Sequence, residues 1–280
     1  MRAKDKLRIV YPTDFSLGSK LALKTLKLIQ NKYQTDVSLI YVIESIWKNW
    51  ISSGLCQKEA MQRLQSWQNE YSSSTELKKL YIKVGNPADC ILDVARKRKA
   101  NLILMGGKVT EEFSRYKTGT TVEGVVRSAT KTVWICQKDK ISKILCGIDG
   151  SPSSAKALKF AIDLSRRYSA KLCIIHALPS YLPAFSMTKK IIKYEEEKLK
   201  IEITNKMAKF LDSFDLKKIK HEIQFQWGVS ANLILDLAED FNYDLIVIGA
   251  KGYSMLHHVL LGSTAEKILR HAPCSLLVVR

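Results

Sequence analysis

The sequence predicts an α/β fold of two tandem domains, each a five-stranded parallel sheet covered by helices. Three observations predict it: the length, an internal repeat, and the alternation of strand and helix patterns within each copy. The chain has 280 residues, enough for two domains of ordinary size. Hydrophobic residues make up 46% and charged residues 26%, which suits a packed core rather than a disordered chain. The repeat is read by laying Pro12–Ser45 over Gly147–Ser180 without a gap. Asp14 falls on Asp149, Ser16 on Ser151, and Ala22-Leu23-Lys24 on Ala157-Leu158-Lys159. The segments beginning at Gly85 and Gly228 also align without a gap, with Ile91-Leu92-Asp93 on Ile234-Leu235-Asp236. The boundary falls in the polar stretch QKDKIS, giving domains over 1–138 and 139–280.

Each copy reads in the same order. A short apolar run without alternation comes first, LRIVY or KILCGI, as in a strand covered on both faces. A helix with apolar residues at helical spacing follows. A second strand is VSLIYVI or LCIIHAL, followed by a long polar and helical connector. LYIKV or IQFQW is the third strand, before helices expected at Asp89–Arg98 and Leu233–Asp240. NLILMG or DLIVIG is the fourth, and after a glycine segment and a helix come TVWIC and SLLVV. Strands alternating with helices imply right-handed crossovers and a parallel sheet, whose ligands bind beyond the carboxyl ends of the strands. The last strands, Thr132–Cys136 and Ser275–Val279, are apolar edges, and exposed edges invite pairing. They are expected to pair within the chain as a pseudo-twofold unit, with a homodimer also open.

No apolar run reaches the roughly 18 residues of a membrane helix. The N-terminus MRAKDKLRIV enters a strand pattern without a signal-peptide core. The six cysteines form no C-x-x-C pair and no cluster with histidine. They read as small hydrophobes kept reduced, and the expected location is the cytoplasm. The net charge is +18, with two thirds of the excess in the first domain and the densest cluster at Arg96–Lys99, RKRK. No aromatic residues interleave with that cluster as a single-strand groove would require, so nucleic acid is disfavoured as a partner.

The chemistry concentrates in DLIVIGAKGYSMLHHVLLGSTAEKIL, Asp244–Leu269. Gly249 and Gly252 permit a tight turn that presents backbone N–H groups at close range. Gly262, Ser263 and Thr264 follow, and Ser263 with Glu266 forms an S-x-x-E capping box for the next helix. A helix N-terminus attracts anions, so the two ends together can hold a phosphate chain, with Ser263 or Thr264 as hydroxyl donors. The plainer alternative is that glycines end the strand and Ser263 caps the helix.

The pattern G-x-x-G, nine residues, then G-S, standing here as Gly249, Gly252, Gly262 and Ser263, resembles that of the universal stress protein family in its ATP-binding branch. AEKILRHAPCSLLVV and the opening YPTDFS are similar to the family as well. The resemblance implies a Rossmann-like fold related to the adenine nucleotide α-hydrolases, and ATP with magnesium as the ligand, mainly in the second domain. It implies that Gly147, Ile148 and Asp149, and in the first domain Pro12, Thr13 and Asp14, hold adenine and ribose, with Ala177 or Val42 against adenine. Each aspartate has an alternative role as N-cap of the first helix.

The first copy departs from the pattern. Gly106, Gly119, Thr120 and Glu123 are kept, but Val109 stands where the second glycine belongs. A β-branched residue crowds the phosphate path and resists positive φ. Glu111 and Glu112 add negative charge nearby. Lys108 and Lys251 are candidate phosphate contacts, and His257 and His258 candidate sensors of protonation. No acid/base pair, Ser-His-Asp set or Walker-type phosphate loop is present. The expected function is a nucleotide-dependent regulator or protector in stress response. The alternatives are a weak ATPase or adenylyl-transfer enzyme on the same fold, and a nucleotide-free interaction module.

Overall fold

The computed structural model describes residues 6–44, 53–71, 77–107, 119–179, 189–252 and 261–280. It comprises two compact units: Met1–Lys140 with Leu269–Val278 and Arg280, and Ile141–Ile268 with Val279. Both are α/β with a mostly parallel sheet, as the sequence predicts.

Unit 1 runs β1 (Leu7–Pro12), α1 (Leu17–Gln30), β2 (Thr35–Glu44), α2 (Ser53–Tyr71), β3 (Leu77–Gly85), α3 (Pro87–Lys97), β4 (Leu102–Gly106), α4 (Thr120–Ser128) and β5 (Thr132–Cys136). The strand order is β3-β2-β1-β4-β5, all parallel, with Ile9 opposite both Val37 and Leu102. Ile9, Val10 and Tyr11 are all buried, so consecutive β1 side chains meet a covered surface on both faces. The first helix begins where Ser16 Oγ accepts from the Ser19 N–H at 3.3 Å. α3 begins two residues earlier than its apolar spacing predicts. Asn86 caps it, accepting from the Asp89 N–H at 3.2 Å, and Pro87 takes a first-turn position where its missing N–H costs nothing.

Unit 2 repeats the order with β6 (Lys143–Gly147), α5 (Pro152–Tyr168), β7 (Lys171–Leu178), α6 (Lys189–Leu211), β8 (His221–Trp227), α7 (Ser230–Asp240), β9 (Leu245–Gly249) and α8 (Ser263–His271). Its strands lie β9-β6-β7-β8, again parallel. Asp244 ties the start of β6 to β9: its Oδ2 accepts from the Ser142 N–H at 2.9 Å and the Lys143 N–H at 3.0 Å.

The repeat and the compact unit differ at one element. The chain's last strand, β10 (Ser275–Val279), pairs antiparallel with β5, Leu277 opposite Trp134, and all but its final residue belongs to unit 1. Ser275 fixes the join, its hydroxyl accepting from the Gln137 and Lys138 N–H groups at 3.0 Å each. This is the edge pairing expected of the two apolar strands.

Three side chains of the RKRK cluster make ion pairs within unit 1. Arg96 and Lys97 each pair with Asp93 at 2.8 Å on the last turns of α3, and Arg98 reaches Asp36 and Ser38 at 3.0 Å each. Cys136, Cys146, Cys173 and Cys274 are buried free thiols, and burial pushes Cys136 and Cys173 up to about 12. Cys274 sits just before β10. Among the described residues, no helix is long and apolar enough to cross a membrane.

Because Leu277 and Trp134 are both buried at the β5–β10 ladder, their amides are expected to exchange only through unfolding of the unit. Exchange within minutes at either would show that this ladder opens on its own. Leu277→Ala should cost about 2–5 kcal/mol in chemical denaturation, the usual penalty for a buried leucine.

Candidate functional site

Each unit has a cavity at the carboxyl ends of its parallel strands. In unit 2 it has a volume of about 290 Å³. Gly147, Ile148 and Asp149 enter it from the end of β6, and Ala177 from β7. Gly249, Lys251 and Gly252 border it after β9, and Gly262, Ser263 and Thr264 at the start of α8. The ten second-half residues expected to hold the nucleotide therefore meet in one cavity.

Its geometry follows from one close approach. A Cβ on Gly249 would lie 2.6 Å from Ser153 Oγ and 2.8 Å from the Ser153 carbonyl carbon, so only glycine lets β9 end against the first turn of α5. The chain then turns under hydrogen bonds. Lys251 N–H donates to Ser153 Oγ at 3.3 Å, and Ser151 Oγ donates to the Lys251 carbonyl at 3.5 Å. Gly262 N–H donates to the Ala250 carbonyl at 2.8 Å, folding the entrance of α8 back onto the turn. A Cβ on Gly262 would stand 3.5 Å from the Ala250 carbonyl oxygen and 3.6 Å from the Gly252 nitrogen, ordinary contacts that put it close to that amide.

One expectation about caps, and one alternative, are corrected here. Ser263 is not the N-cap of α8 but its first residue. Glu266 N–H donates to the Gly262 carbonyl at 2.8 Å, so Gly262 begins the ladder and the Ser263 hydroxyl is left at the cavity. In unit 1 the same step has Gly119 as N-cap of α4, with no side-chain bond. Nor are Asp14 and Asp149 N-caps. Ser16 and Ser151 cap α1 and α5, and each aspartate instead accepts their N–H groups, at 3.0 and 2.9 Å, in a turn just before the helix. Asp149 Oδ2 lies 3.0 Å from where a Gly252 Cβ would stand, so the carboxylate faces the glycine turn.

The sequence reading missed His176, Ser151 and Ser153. His176 lines the cavity, with Nδ1 2.9 Å from the Ile148 carbonyl. A carbonyl only accepts, so Nδ1 carries the proton there. Its position next to Ala177 on β7 was the available signal. The two serines hold the Lys251 peptide; the first-turn sequence SPSS was visible but its partner is about a hundred residues away.

In unit 1 the cavity is about 540 Å³ and takes in Pro12, Thr13, Asp14, Val42, Gly106, Gly119 and Thr120. Here Gly18 replaces Ser153 beneath the strand end. A Cβ on Gly106 would lie 2.2 Å from the Gly18 carbonyl carbon, and one on Gly18 would lie 2.1 Å from the Gly107 oxygen. Asp14 Oδ1 accepts from Ser19 Oγ at 2.7 Å as well as from Ser16. The residue after it, Phe15, has φ 64°, where unit 2 has Gly150 at φ 81°. Phe15 is held there by Tyr41 and Trp67, with ring centroids 5.0 and 5.3 Å away. Lys108, Val109, Glu111, Glu112, His257 and His258 lie outside the described residues.

Comparison with known proteins bears on both units. The family model described as "Universal stress protein family" matches residues 7–137 and again 140–280. Universal stress protein YxiE of Bacillus subtilis is 31% identical over 146 residues, covering 50% of this chain and 99% of its own length. Universal stress protein MJ0531 of Methanocaldococcus jannaschii is 32% identical over 145 residues, covering 49% and 81%. Among solved structures, a universal stress protein from Archaeoglobus fulgidus aligns over 99% of both chains with a TM-score of 0.70 and 19% identity, a likeness of fold.

Partial desolvation would raise the Asp14 pKa, but the hydrogen bonds from Ser16 and Ser19 outweigh it and hold the carboxyl below its usual 3.8. A depressed folded pKa contributes stability above the unfolded value, and that contribution is lost as pH falls through the folded one. The stability difference between the parent and Asp14→Asn should therefore be constant from neutral pH to about pH 5 and shrink below about pH 4. Urea titrations across that range measure it, and a difference that grows toward acid would contradict the assignment.

Proposed function

Because the chain belongs to the universal stress protein family, we propose that it binds ATP with magnesium in unit 2 and acts as a nucleotide-dependent regulator or protector in the cytoplasm during stress. One observation carries this reading: the Gly249–Gly252 turn, the first turn of α8 and the Asp149 carboxylate border one cavity. In this reading Ile148, Ile175 and Ala177 provide apolar walls for adenine, and Asp149 accepts from ribose hydroxyls. The cavity is at the small end for ligand sites, so the phosphates lie along the glycine turn at its rim. Their partners there are the Gly252 amide, the amides of the first turn of α8, and the Ser263 and Thr264 hydroxyls. Lys251, at the same rim, supplies positive charge.

The donor set fits a nucleotide. It offers N–H and O–H groups and one cation along the glycine turn and the start of α8, with a single carboxylate, Asp149, facing the Gly252 end of that turn. Magnesium is carried in this reading by phosphate oxygens and water, the arrangement it favours. Asp149 Oδ1 is occupied by the Ser151 N–H, which disfavours it as a general base and supports binding over turnover. Bound nucleotide would bias the order of the glycine loop, and partner surfaces with it. The tandem architecture fits an intramolecular pseudo-dimer.

Calorimetric titration with MgATP should give close to one tight equivalent per chain, and protein denatured after purification should release an adenine nucleotide detectable by mass. Gly262→Val has room for its Cβ, 3.6 Å from the Gly252 nitrogen, and its methyl groups are expected to crowd that amide. Losing one charge-assisted phosphate contact costs about 1.5–3 kcal/mol, roughly a 10- to 150-fold loss of affinity. Unchanged affinity in a folded variant would reduce the glycine segment to a turn.

A further inference from the structure

At the amino ends of the strands of unit 2, the ends away from Gly249 and the glycine turn, lies a separate cavity of about 260 Å³. All the residues that line it are described, and all belong to unit 2. Three exposed lysines border it: Lys143 begins β6, Lys171 begins β7, and Lys220 precedes β8. Lys143 lies opposite Lys171, and His221 opposite Leu172, so Lys220 falls beside Lys171. The Leu172 N–H donates to the Lys220 carbonyl at 2.9 Å, which fixes that register. The lysines thus form a row on one face of three neighbouring strands, about 4.8 Å from one to the next, and like charges so placed repel. Among the described residues, none of the three pairs with a carboxylate. Lys143 Nζ donates to the Phe241 carbonyl at 3.0 Å, at the end of α7. The one carboxylate of the lining, Glu222, accepts on Oε1 from Gln224 Nε2 at 3.0 Å and from the Tyr243 hydroxyl at 3.4 Å.

Unit 1 closes the same place with its own side chains. Arg98 Nε donates to Ser38 Oγ, and its Nη2 donates to Asp36 Oδ2, at 3.0 Å each. In the repeat, Phe241 stands for Arg98, Lys171 for Asp36 and Cys173 for Ser38. The backbone there is shared, with Lys99 at φ 49° and Asn242 at φ 50°. Unit 2 therefore keeps the turn, lacks the guanidinium that fills the space, and has a base where unit 1 has the acid that holds it. Phe241, 57% exposed, and the buried Cys173 and Tyr243 line what is left. Burial pushes the Tyr243 hydroxyl up, so it faces the cavity as a neutral donor.

We propose that this cavity is an anion site, separate from the one at the carboxyl ends of the strands, and that its ligand is a short inorganic polyphosphate, of which diphosphate is the smallest. Three lysines against one carboxylate leave an excess of two positive charges that the described residues do not balance. A bound polyanion supplies the balance and relieves the repulsion along the row. Each ammonium is a compact point charge that can meet a phosphate oxygen from any direction, whereas a planar carboxylate is matched best by an arginine fork. The lining has no arginine. Its volume is below the range of sites for drug-sized molecules, which favours a ligand made of little besides the charged group.

The test uses the full chain and inorganic diphosphate, titrated by calorimetry at low salt. Diphosphate should bind, and citrate, a carboxylate anion of comparable charge, should bind at least about 5-fold more weakly. Saturating diphosphate should slow the acetylation of Lys171 and Lys220, read by peptide mass, at least about 5-fold, and leave Lys198 on α6 unchanged. Lys171→Asp combined with Phe241→Arg transplants the pairing of unit 1 into unit 2. With the urea midpoint of the parent retained, that variant should lose at least about 30-fold in diphosphate affinity, while Lys198→Asp, the same change of charge at an exposed site elsewhere, stays within about twofold. Should the transplant fail to fold, Lys171→Gln alone should lower the affinity about 5- to 10-fold. The proposal is overturned if the parent binds no diphosphate, if citrate binds as tightly, or if the folded variants bind as the parent does. It is also overturned if protection falls on Lys251 and not on Lys171 and Lys220, which would place the anion at the glycine turn.

Discussion

The organisation of both cavities depends on a contact between two stretches of backbone. Where the fourth strand of each repeat ends, it runs against the first turn of the first helix at a distance that leaves no room for a side chain. At Gly249 the obstacle is Ser153, and at Gly106 it is Gly18. In unit 2 the contact delivers the chain to the amino end of that helix already turning, and the hydrogen bonds that follow hold the turn. Any larger residue at either position must move a strand or a helix whose other face is packed in the core, so the cost falls on the sheet and not on the loop alone.

Much of this architecture was legible because it rests on short-range patterns. The uninterrupted apolar runs named the covered strands, and the repeat, gapless within each of its two blocks, meant that each pattern was read twice. The glycines were legible for the same reason, since a residue type without a side chain announces close approach wherever it recurs after a strand. Roles that depend on distant partners were not. The hydroxyl of Ser263 looked like a cap until the Gly262 carbonyl was seen to begin the helix. The alternative role of Asp14 and Asp149 as caps falls to Ser16 and Ser151, two residues later. His176 was passed over because nothing in its neighbourhood on β7 foretells the carbonyl of Ile148, which fixes its ring.

The two copies also show how one backbone conformation survives different side chains. The position after the conserved-geometry aspartate turn needs a left-handed residue in both units. Glycine adopts it freely at 150, whereas Phe15 pays roughly 1–2 kcal/mol for it. That cost is of the same order as two aromatic contacts, at about 0.5–1.5 kcal/mol each, and Tyr41 and Trp67 supply them. The same turn that is permissive in unit 2 is therefore tied in unit 1 to β2 and α2.

The membership of β10 in unit 1 has a consequence for the order of events during synthesis. β5 leaves the ribosome with its outer edge unpaired, and the strand that covers it follows only after roughly 140 further residues, or on the order of 10–30 s at ordinary translation rates. Through that interval the nascent chain presents an apolar edge, TVWIC, with free amides and carbonyls, a template for any other extended segment. The first half of the chain is therefore made first and finished last, and its exposure to wrong pairing is set by the time taken to translate the second half.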